Sequence, residues 1–424
     1  MAFLLAGCLL PCPAALGEVW YVDNTAAPGG DGSATAPFQR LAAAEAASAP
    51  GDEIHLARGD GTARGYDQGL RLKPNQSLVG NAEGDALPVV SNPGGDAVVL
   101  AGDASIEAVE VRDAGGAGVA GAAGGRVELR GMRITGAAGD GVAFQVSGDS
   151  VLDLLVEDVV ISDSGANGVE VISEGPQSLA RLELRRTAVR RSGAMGLLLF
   201  AGAGSGYASR LELVVEDNRG AVGHGVFDSG AAGVSVQPND ASQVRGVVSG
   251  TTVSGAGGRG IEVLGDDNAE TVLLLRDNQV VGTEYEAIFA SQQNDGRLHV
   301  TLQTNRVEPP RTALHAVELM ARQQGLLCVA LAGPPAIHAG GLRLRQRDAS
   351  RVLVEGFTGD GADAASLERF LRSTNAAPGR ASAALSTRVE PVDGDTCKRP
   401  DDPSGAAGPV GSSRTESDGG TISL

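Results

Sequence analysis

Residues 151–171 read VLDLLVEDVVISDSGANGVEV, and the order of apolar runs in this stretch decides the fold. The runs are Val151-Leu152-Asp153-Leu154-Leu155, Val159-Val160-Ile161 and Gly168-Val169-Glu170-Val171. Each is short, apolar or alternating, and separated from the next by Ser, Asp, Asn and Gly, the pattern of strands joined by tight corners. The triplet returns as Thr271 to Leu275, Gln279-Val280-Val281 and Ala287-Ile288-Phe289. Two series of markers measure the repeat. Met132, Val159, Thr187, Asn218, Thr251, Asn278 and Asn305 step by 27, 28, 31, 33, 27 and 27 residues. Gly141-Val142, Gly168-Val169, Gly196-Leu197, Gly233-Val234, Gly260-Ile261, Ala287-Ile288 and Ala316-Val317 step by 27, 28, 37, 27, 27 and 29. Both series lengthen around 196–233. Three strands in about 27 residues are too few for a four-stranded propeller blade and leave no room for the helix of a leucine-rich repeat. The pattern predicts an all-β chain folded as a single-stranded, right-handed parallel β-helix, a three-sided solenoid of roughly eight to ten coils. Asn278 and Asn305 fall at a corner where an asparagine ladder can form, since Asn accepts left-handed backbone and its amide can bond its neighbour's.

Composition supports this and excludes other classes. Apolar residues make up 42 % of the 424, but aromatics only 3 %, so the core must be Val, Leu, Ile and Ala. The 62 glycines follow no collagen period. A net charge of −18 repels phosphate backbones and anionic lipid, so nucleic acid is not an expected partner. Lys73 and Lys398 are the only lysines, and arginine carries the positive charge.

Residues 2–16 are apolar and uncharged, and Ala15-Leu16-Gly17 offers the small residues a signal peptidase needs, so 1–17 is expected to be a signal peptide. Leu5-Ala6-Gly7-Cys8 also fits a lipobox, which makes a lipoprotein anchored through Cys8 the alternative. Either way the expected location is secreted, periplasmic or extracellular. No other stretch reaches the ~20 apolar residues of a membrane span. After cleavage two cysteines remain, Cys328 and Cys397, and export favours a disulfide between them. Pro37 to Ala49 reads as a helix capping the N-terminal end of the core, and Ala364 to Ser373 as a short closing helix with Leu367, Phe370 and Leu371 on one face. The expected division is 18–325 for the β-helix with its cap, 326–397 for terminal coils and a capping segment, and 398–424 for a disordered tail rich in Pro, Gly, Ser and Asp.

A resemblance adds to this. Tyr21-Val22-Asp23-Asn24, Gly29-Gly30-Asp31-Gly32-Ser33, Pro37-Phe38, Ala43 to Ala47, Gly51-Asp52-Glu53-Ile54-His55-Leu56 and Gly59 resemble the leading segment of bacterial right-handed parallel β-helix repeat proteins of the pectate-lyase-like superfamily. The likeness is close over residues 19–80 and is one of pattern along the coils to about 330. Residues 326–375, with Gly341 to Gln346 and the helix before Asn375, are similar to the tail that follows such coils in bacterial surface proteins. The resemblance implies this fold and export, often with polysaccharide as ligand. It does not imply catalysis.

Enzymes of that superfamily hydrolyse or β-eliminate acidic polysaccharides. Polygalacturonases carry Asn-Thr-Asp, Gly-Asp-Asp, Gly-His-Gly and Arg-Ile-Lys in that order. Here Gly223-His224-Gly225 precedes Gly265-Asp266-Asp267 and the other two motifs are missing from the coils, so His224, Asp266 and Asp267 are catalytic candidates of low specificity, read first as loop and turn residues. β-Elimination needs a base, and no lysine lies between Lys73 and Lys398 to supply it. Acidic residues recur at one corner: Asp103, Asp149, Glu174, Asp240, Asp266 with Asp267, and Asp295. Stacked, they form a column whose functional meaning would be Ca²⁺ binding, with Asp149, Asp240, Asp266 and Asp295 as ligands, and whose ordinary meaning is turn chemistry. Asp23, Asn24 and Asp31 pose the same choice. Arg185, Arg186, Arg190 and Arg191 form the one dense basic cluster, able to grip a uronate or sulfate or to pair with that acidic column, or standing as a solvated corner with no function. The sequence therefore favours a non-catalytic exported β-helix that binds polysaccharide or a cell-surface glycan. A polysaccharide lyase or glycoside hydrolase and a structural module of an adhesin-like protein are the alternatives. An enzyme should show a groove near 196–233 lined by convergent Asp, Arg or His.

Overall fold

Along Val151–Glu157, Leu152, Leu154 and Val156 point inward and are buried while Asp153 points out, as a strand with one buried face requires. In the computed structural model this strand pairs in parallel with Leu179–Arg185 one coil on, and so does every neighbour along the chain. The structure describes residues 17–122, 124–202, 208–219, 223–313, 315–338, 341–359, 363–374, 381–384, 389–392 and 396–400. The expected signal peptide up to residue 16, with Cys8, and the tail beyond residue 400 lie outside the described residues.

Three faces run the length of the solenoid. The first carries the longest strands, including Gly125–Arg130, Val151–Glu157, Leu179–Arg185, Arg210–Glu216, Gln243–Ser249 and Glu270–Arg276. The second carries three-residue strands such as Arg133–Thr135, Val160–Ser162 and Ala188–Arg190. The third is a sheet of 12 strands from Leu70–Leu72 to Ala381–Ala384. Val142, Val169, Leu197, Val234, Ile261, Ile288 and Val317 are successive register partners on that face. Leu, Val and Ile of all three faces fill one continuous core, with little aromatic contribution.

Twelve strands give eleven coil-to-coil steps, more than the eight to ten coils expected. The early coils are short: Val98, Val119 and Val142 are consecutive partners, so a series of 27-residue steps begins only at Val142. The 326–355 strands continue the same sheets in register. At the ends, the helix Leu41–Ala47 buries Leu41 and Ala44 against the first coils. The helix Ala364–Thr374 is capped by Asp363 and buries Leu367 and Leu371, with Phe370 edge-on to Phe357.

The glycine of each Gly-Val marker is set by close approach. A Cβ on Gly196 would lie 2.5 Å from the Gly233 carbonyl oxygen and 2.2 Å from Val226 Cγ1, and Gly141, Gly168, Gly233 and Gly260 meet the same obstacles. The obstructing oxygen belongs to a coil held on both sides by main-chain bonds, so it cannot retreat. Gly196→Ala is expected to destabilise the fold by about 1–3 kcal/mol through overpacking, read as a lower urea midpoint. An unchanged midpoint would show that the corner yields.

The other marker column is polar and buried. Asn278 donates to Asn305 Oδ1 at 3.0 Å and to the Val248 carbonyl at 2.8 Å, and its own Oδ1 accepts the Thr251 amide at 3.1 Å. Asn305 repeats the pattern toward Leu275, and Asn218 toward Leu184 and Thr187. The expected ladder is therefore present, joined amide to amide at Asn278 and Asn305 as expected, but the left-handed backbone expected of these residues is not. The left-handed residue at this corner is the one before, Asp277 at φ 54° and Thr304 at φ 51°, whereas neither Asn278 nor Asn305 has positive φ. Asn is needed here for its amide, which satisfies carbonyls and amides that the turn leaves unpaired.

Candidate functional site

On the first face the inward residues build the core, so the alternate, outward residues of stacked strands form strips along the solenoid axis. One strip is Arg126, Asp153, Arg181, Glu212 and Arg245, each the register partner of the next. Its charge alternates at every coil. Two residues further along the same strands runs a second strip, Glu128, Leu155, Glu183, Val214 and Val247. The first strip, with Leu155, Glu183 and Val214 of the second, floors a groove of about 670 Å³ whose far end is walled by Arg399 and Pro400.

Arg181 is the centre of this groove. Its Nη1 donates to Asp153 Oδ1 at 3.0 Å and its Nε to Glu212 Oε2 at 2.8 Å, so one guanidinium bridges three coils. These bonds, Asp153 first, hold its pKa above the ordinary arginine value. Arg126 pairs with Glu128 at 2.7 Å on its own strand. Arg245 makes no ion pair with any described residue; its charge reaches Glu270, which Lys398 already binds. The lining holds four arginines (126, 181, 245, 399) against Asp153, Glu183 and Glu212, a net of +1 on a chain of −18.

Beyond Arg245 the outward strip turns apolar: Val272, His299, Cys328 and Leu353 follow in register, and all four are buried. Part of this surface is covered by residues 396–400, which lie back across the first face. Cys397 is bonded to Cys328 across 69 residues of sequence, and Ala330 and Leu353 pack around the pair. The Lys398 amide donates to His299 Nδ1 at 3.1 Å, its ammonium pairs with Glu270, and Arg399 pairs with Glu355 at 2.6 Å. Burial first, then the nearby Lys398 charge, lowers the His299 pKa. Lys398, placed at the start of a polar tail by composition, is thus part of a strap that closes the groove's end.

The motif-based candidates are not brought together. His224 precedes the second-face strand Gly225–Phe227, within electrostatic reach of Asp158. Asp266 and Asp267 follow the third-face strand Ile261–Gly265, where Asp266 accepts bonds from the Gln293 and Asn294 amides and Asp267 adopts φ 49°. Asp149, Asp240 and Asp295 stand at the same third-face corner, Asp240 buried and at φ 57°. Among the described residues, the group of three His, Cys, Asp or Glu side chains that converge is His299, Cys328 and Cys397, and its two sulfurs are bonded to each other. Asp23 and Asp31 cap turns through the amides of Thr25 and Ser33, and buried Asn24 ties Asp60, Thr62 and Arg64 into the N-terminal cap.

The basic cluster is absorbed by pairing. Arg186 holds Asp158 with two bonds and reaches Glu157, Arg191 holds Asp163 with two, and Arg185 bridges Glu183 and Glu216. Arg190 lies over the Phe227 ring and donates to the Gly223 carbonyl. Glu170 is a carboxyl held above its ordinary range, by burial and then by Asp140. It sits on the third face and lines neither the first-face groove nor the smaller one of about 360 Å³ where Arg259 stacks on Phe289.

No family model matches the chain, and no curated protein does. The superfamily resemblance therefore rests on the leading segment and the coil pattern. Among solved structures, a family 136 glycoside hydrolase, the lacto-N-biosidase of Eubacterium ramulus, is similar at 11 % identity and a TM-score of 0.39, covering 87 % of this chain and 68 % of that one. Its selenomethionine derivative is similar at 12 % identity and a TM-score of 0.35, covering 89 % and 68 %. Neither likeness bears on what the groove does.

Proposed function

We propose that the chain is an exported β-helix protein that binds a polysaccharide along the first-face groove without cleaving it. The observation that carries this is the strip Arg126–Asp153–Arg181–Glu212–Arg245 in an open groove parallel to the solenoid axis. Guanidinium donors and carboxylate acceptors alternate there about every 4.8 Å, the coil spacing. A glycan, with hydroxyl donors and acceptors on each sugar, can lie along such a strip and bond at every coil. Leu155 and Val214 add apolar contact for the faces of sugar rings.

Catalysis is not the favoured use of these carboxylates. Glycoside hydrolysis needs one carboxyl kept protonated and a second free to act as base or nucleophile. Asp153 and Glu212 share one guanidinium and are about half exposed at 49 % and 48 %, so no apolar wall shelters a proton on either. Among the described residues, no histidine lines the groove.

The test is affinity electrophoresis of the full chain against acidic and neutral polysaccharides, with Ca²⁺ and with EDTA, while reducing ends and unsaturated products are followed. Retarded migration that weakens about tenfold in Arg181→Ala, with no products, is the expected result. Release of either product overturns the non-catalytic reading, and binding indifferent to Arg181→Ala removes the groove from it. Loss of binding in EDTA would assign Ca²⁺ to the corner carboxylates.

A further inference from the structure

We infer that the groove selects a glycan whose acidic group recurs on every second sugar. This rests on the polysaccharide-binding reading and deepens it. The decisive feature is that the charge of the first outward strip repeats every two coils from Arg126 to Arg245, and the second strip keeps that phase as far as Val214, with Val247 standing beside Arg245. Arg126 with Glu128 and Arg181 with Glu183 occupy alternate strands, and between them Asp153 with Leu155 and Glu212 with Val214 occupy the others. Arg245 continues the arginine phase. Two coils span about 9.6 Å, so guanidinium groups recur at roughly the length of an extended disaccharide, with a carboxylate midway between each pair.

A polymer with a carboxylate on each sugar cannot match this strip. If one carboxylate sits on Arg181, the next falls on Asp153 or Glu212, where like charges meet in a half-buried groove. A neutral polymer meets no repulsion but leaves the arginines without an anionic partner. A polymer that alternates an acidic sugar with one bearing an amide or hydroxyl donor satisfies both phases. Its carboxylates face Arg126, Arg181 and Arg245, its donors face Asp153 and Glu212, and the rings over Leu155 and Val214 contact apolar carbon.

The existing ion pairs do not block this. Half-exposed pairs of this kind are individually weak, so a ligand carboxylate that makes a two-pronged contact with a guanidinium displaces them at little cost. Arg245 needs no displacement, since no described residue pairs with it.

The test uses three probes of equal sugar number on the full chain: hyaluronan octasaccharide, oligogalacturonate and a chitin oligomer. Calorimetric titration is expected to give hyaluronan about a tenfold lower Kd than either of the others. Arg245→Ala should weaken hyaluronan alone. Glu212→Gln should tighten oligogalacturonate and narrow the gap, because it removes the midway charge; its melting temperature, followed in parallel, reports that the coil is intact. Oligogalacturonate binding as tightly as hyaluronan, with both sensitive to Arg181→Ala, overturns the spacing rule while leaving the groove a glycan site. Equal binding of the chitin oligomer overturns it too. If none of the three binds, the polysaccharide reading itself fails.

Discussion

Asn278→Leu is expected to destabilise the middle coils by about 2–5 kcal/mol, although leucine is nearly the same size and the site is fully buried. Size is not what the position supplies. The Asn278 amide is the donor for the Val248 carbonyl and the acceptor for the Thr251 amide, and its Nδ2 also meets Asn305 Oδ1. Leucine leaves these groups in the core with no water to replace the lost partner, at about 1–3 kcal/mol for each orphaned group. Because a solenoid coil is stabilised by its two neighbours, the loss should stay local before it becomes global. Hydrogen exchange should therefore quicken first at Thr251, with a lower urea midpoint for the whole chain. Asn278→Thr should be milder, since Thr187 and Thr251 fill the same column elsewhere and bond the carbonyls of Arg185 and Ser249. If leucine proves as stable as asparagine, the ladder is not what holds this corner.

The fold was legible because its two marker columns are physical necessities. Gly141, Gly168, Gly196, Gly233 and Gly260 recur where a Cβ has no room, and Thr187, Asn218, Thr251, Asn278 and Asn305 recur where a turn leaves main-chain groups unpaired. Such constraints repeat once per coil and survive changes in everything between them. The coils at Val98 and Val119 escaped because the steps from them to Val142 are shorter than the period. The left-handed corner was misplaced by one residue, since Asp277 and Asn278 are both plausible there and only the hydrogen bonds separate them.

A groove was expected near 196–233 for an enzyme, and Glu212, Leu213 and Val214 do line one, but the charged strip along it was legible in principle and was not read. Arg126, Asp153, Arg181, Glu212 and Arg245 each stand six residues before Met132, Val159, Thr187, Asn218 and Thr251, so they share those steps of 27, 28, 31 and 33. Aligning the coils on the ladder column would have lined up the charges. Motif matching drew attention to His224 and Asp266 instead, which occupy different corners. The Arg185–Arg191 cluster was dense in sequence and is spent on acids in space. The strap was legible only at its disulfide, Cys328–Cys397; that Lys398 meets Glu270 and His299, 128 and 99 residues away in sequence, is set by the fold.

That strap sets the second large effect. Cys397→Ser, or reduction of the wild-type chain, is expected to release residues 396–400 and to lower stability by about 4 kcal/mol, the chain-entropy value for a closed loop of this length. Part of the consequence is unusual for a disulfide, because it lies on the outside of the solenoid. Cys328 and Leu353 face outward and are buried under this segment, so opening it should expose apolar surface, read as binding of a hydrophobic dye and as concentration-dependent association. Trypsin should then cut after Lys398, a bond held in place by Glu270 and His299 while the strap is closed. Acid should favour the same opening. His299 has its pKa lowered in the folded state, so the released state takes up protons first, and the contribution present above the ordinary histidine value of 6.5 is lost as pH falls through the lowered one. Protection of the Lys398 amide, taken relative to its intrinsic exchange rate, should therefore fall in the oxidised chain as pH drops below the ordinary histidine value, whereas in Cys397→Ser it should be lost at every pH. The groove is coupled to this event, because Arg399 and Pro400 form its end wall. Reduced protein should accept longer glycan oligomers than oxidised protein does, at some loss of the contacts Arg399 supplies. If Cys397→Ser keeps its melting point and its resistance to trypsin, the segment is held by something other than the bond, and the wall stays where it is.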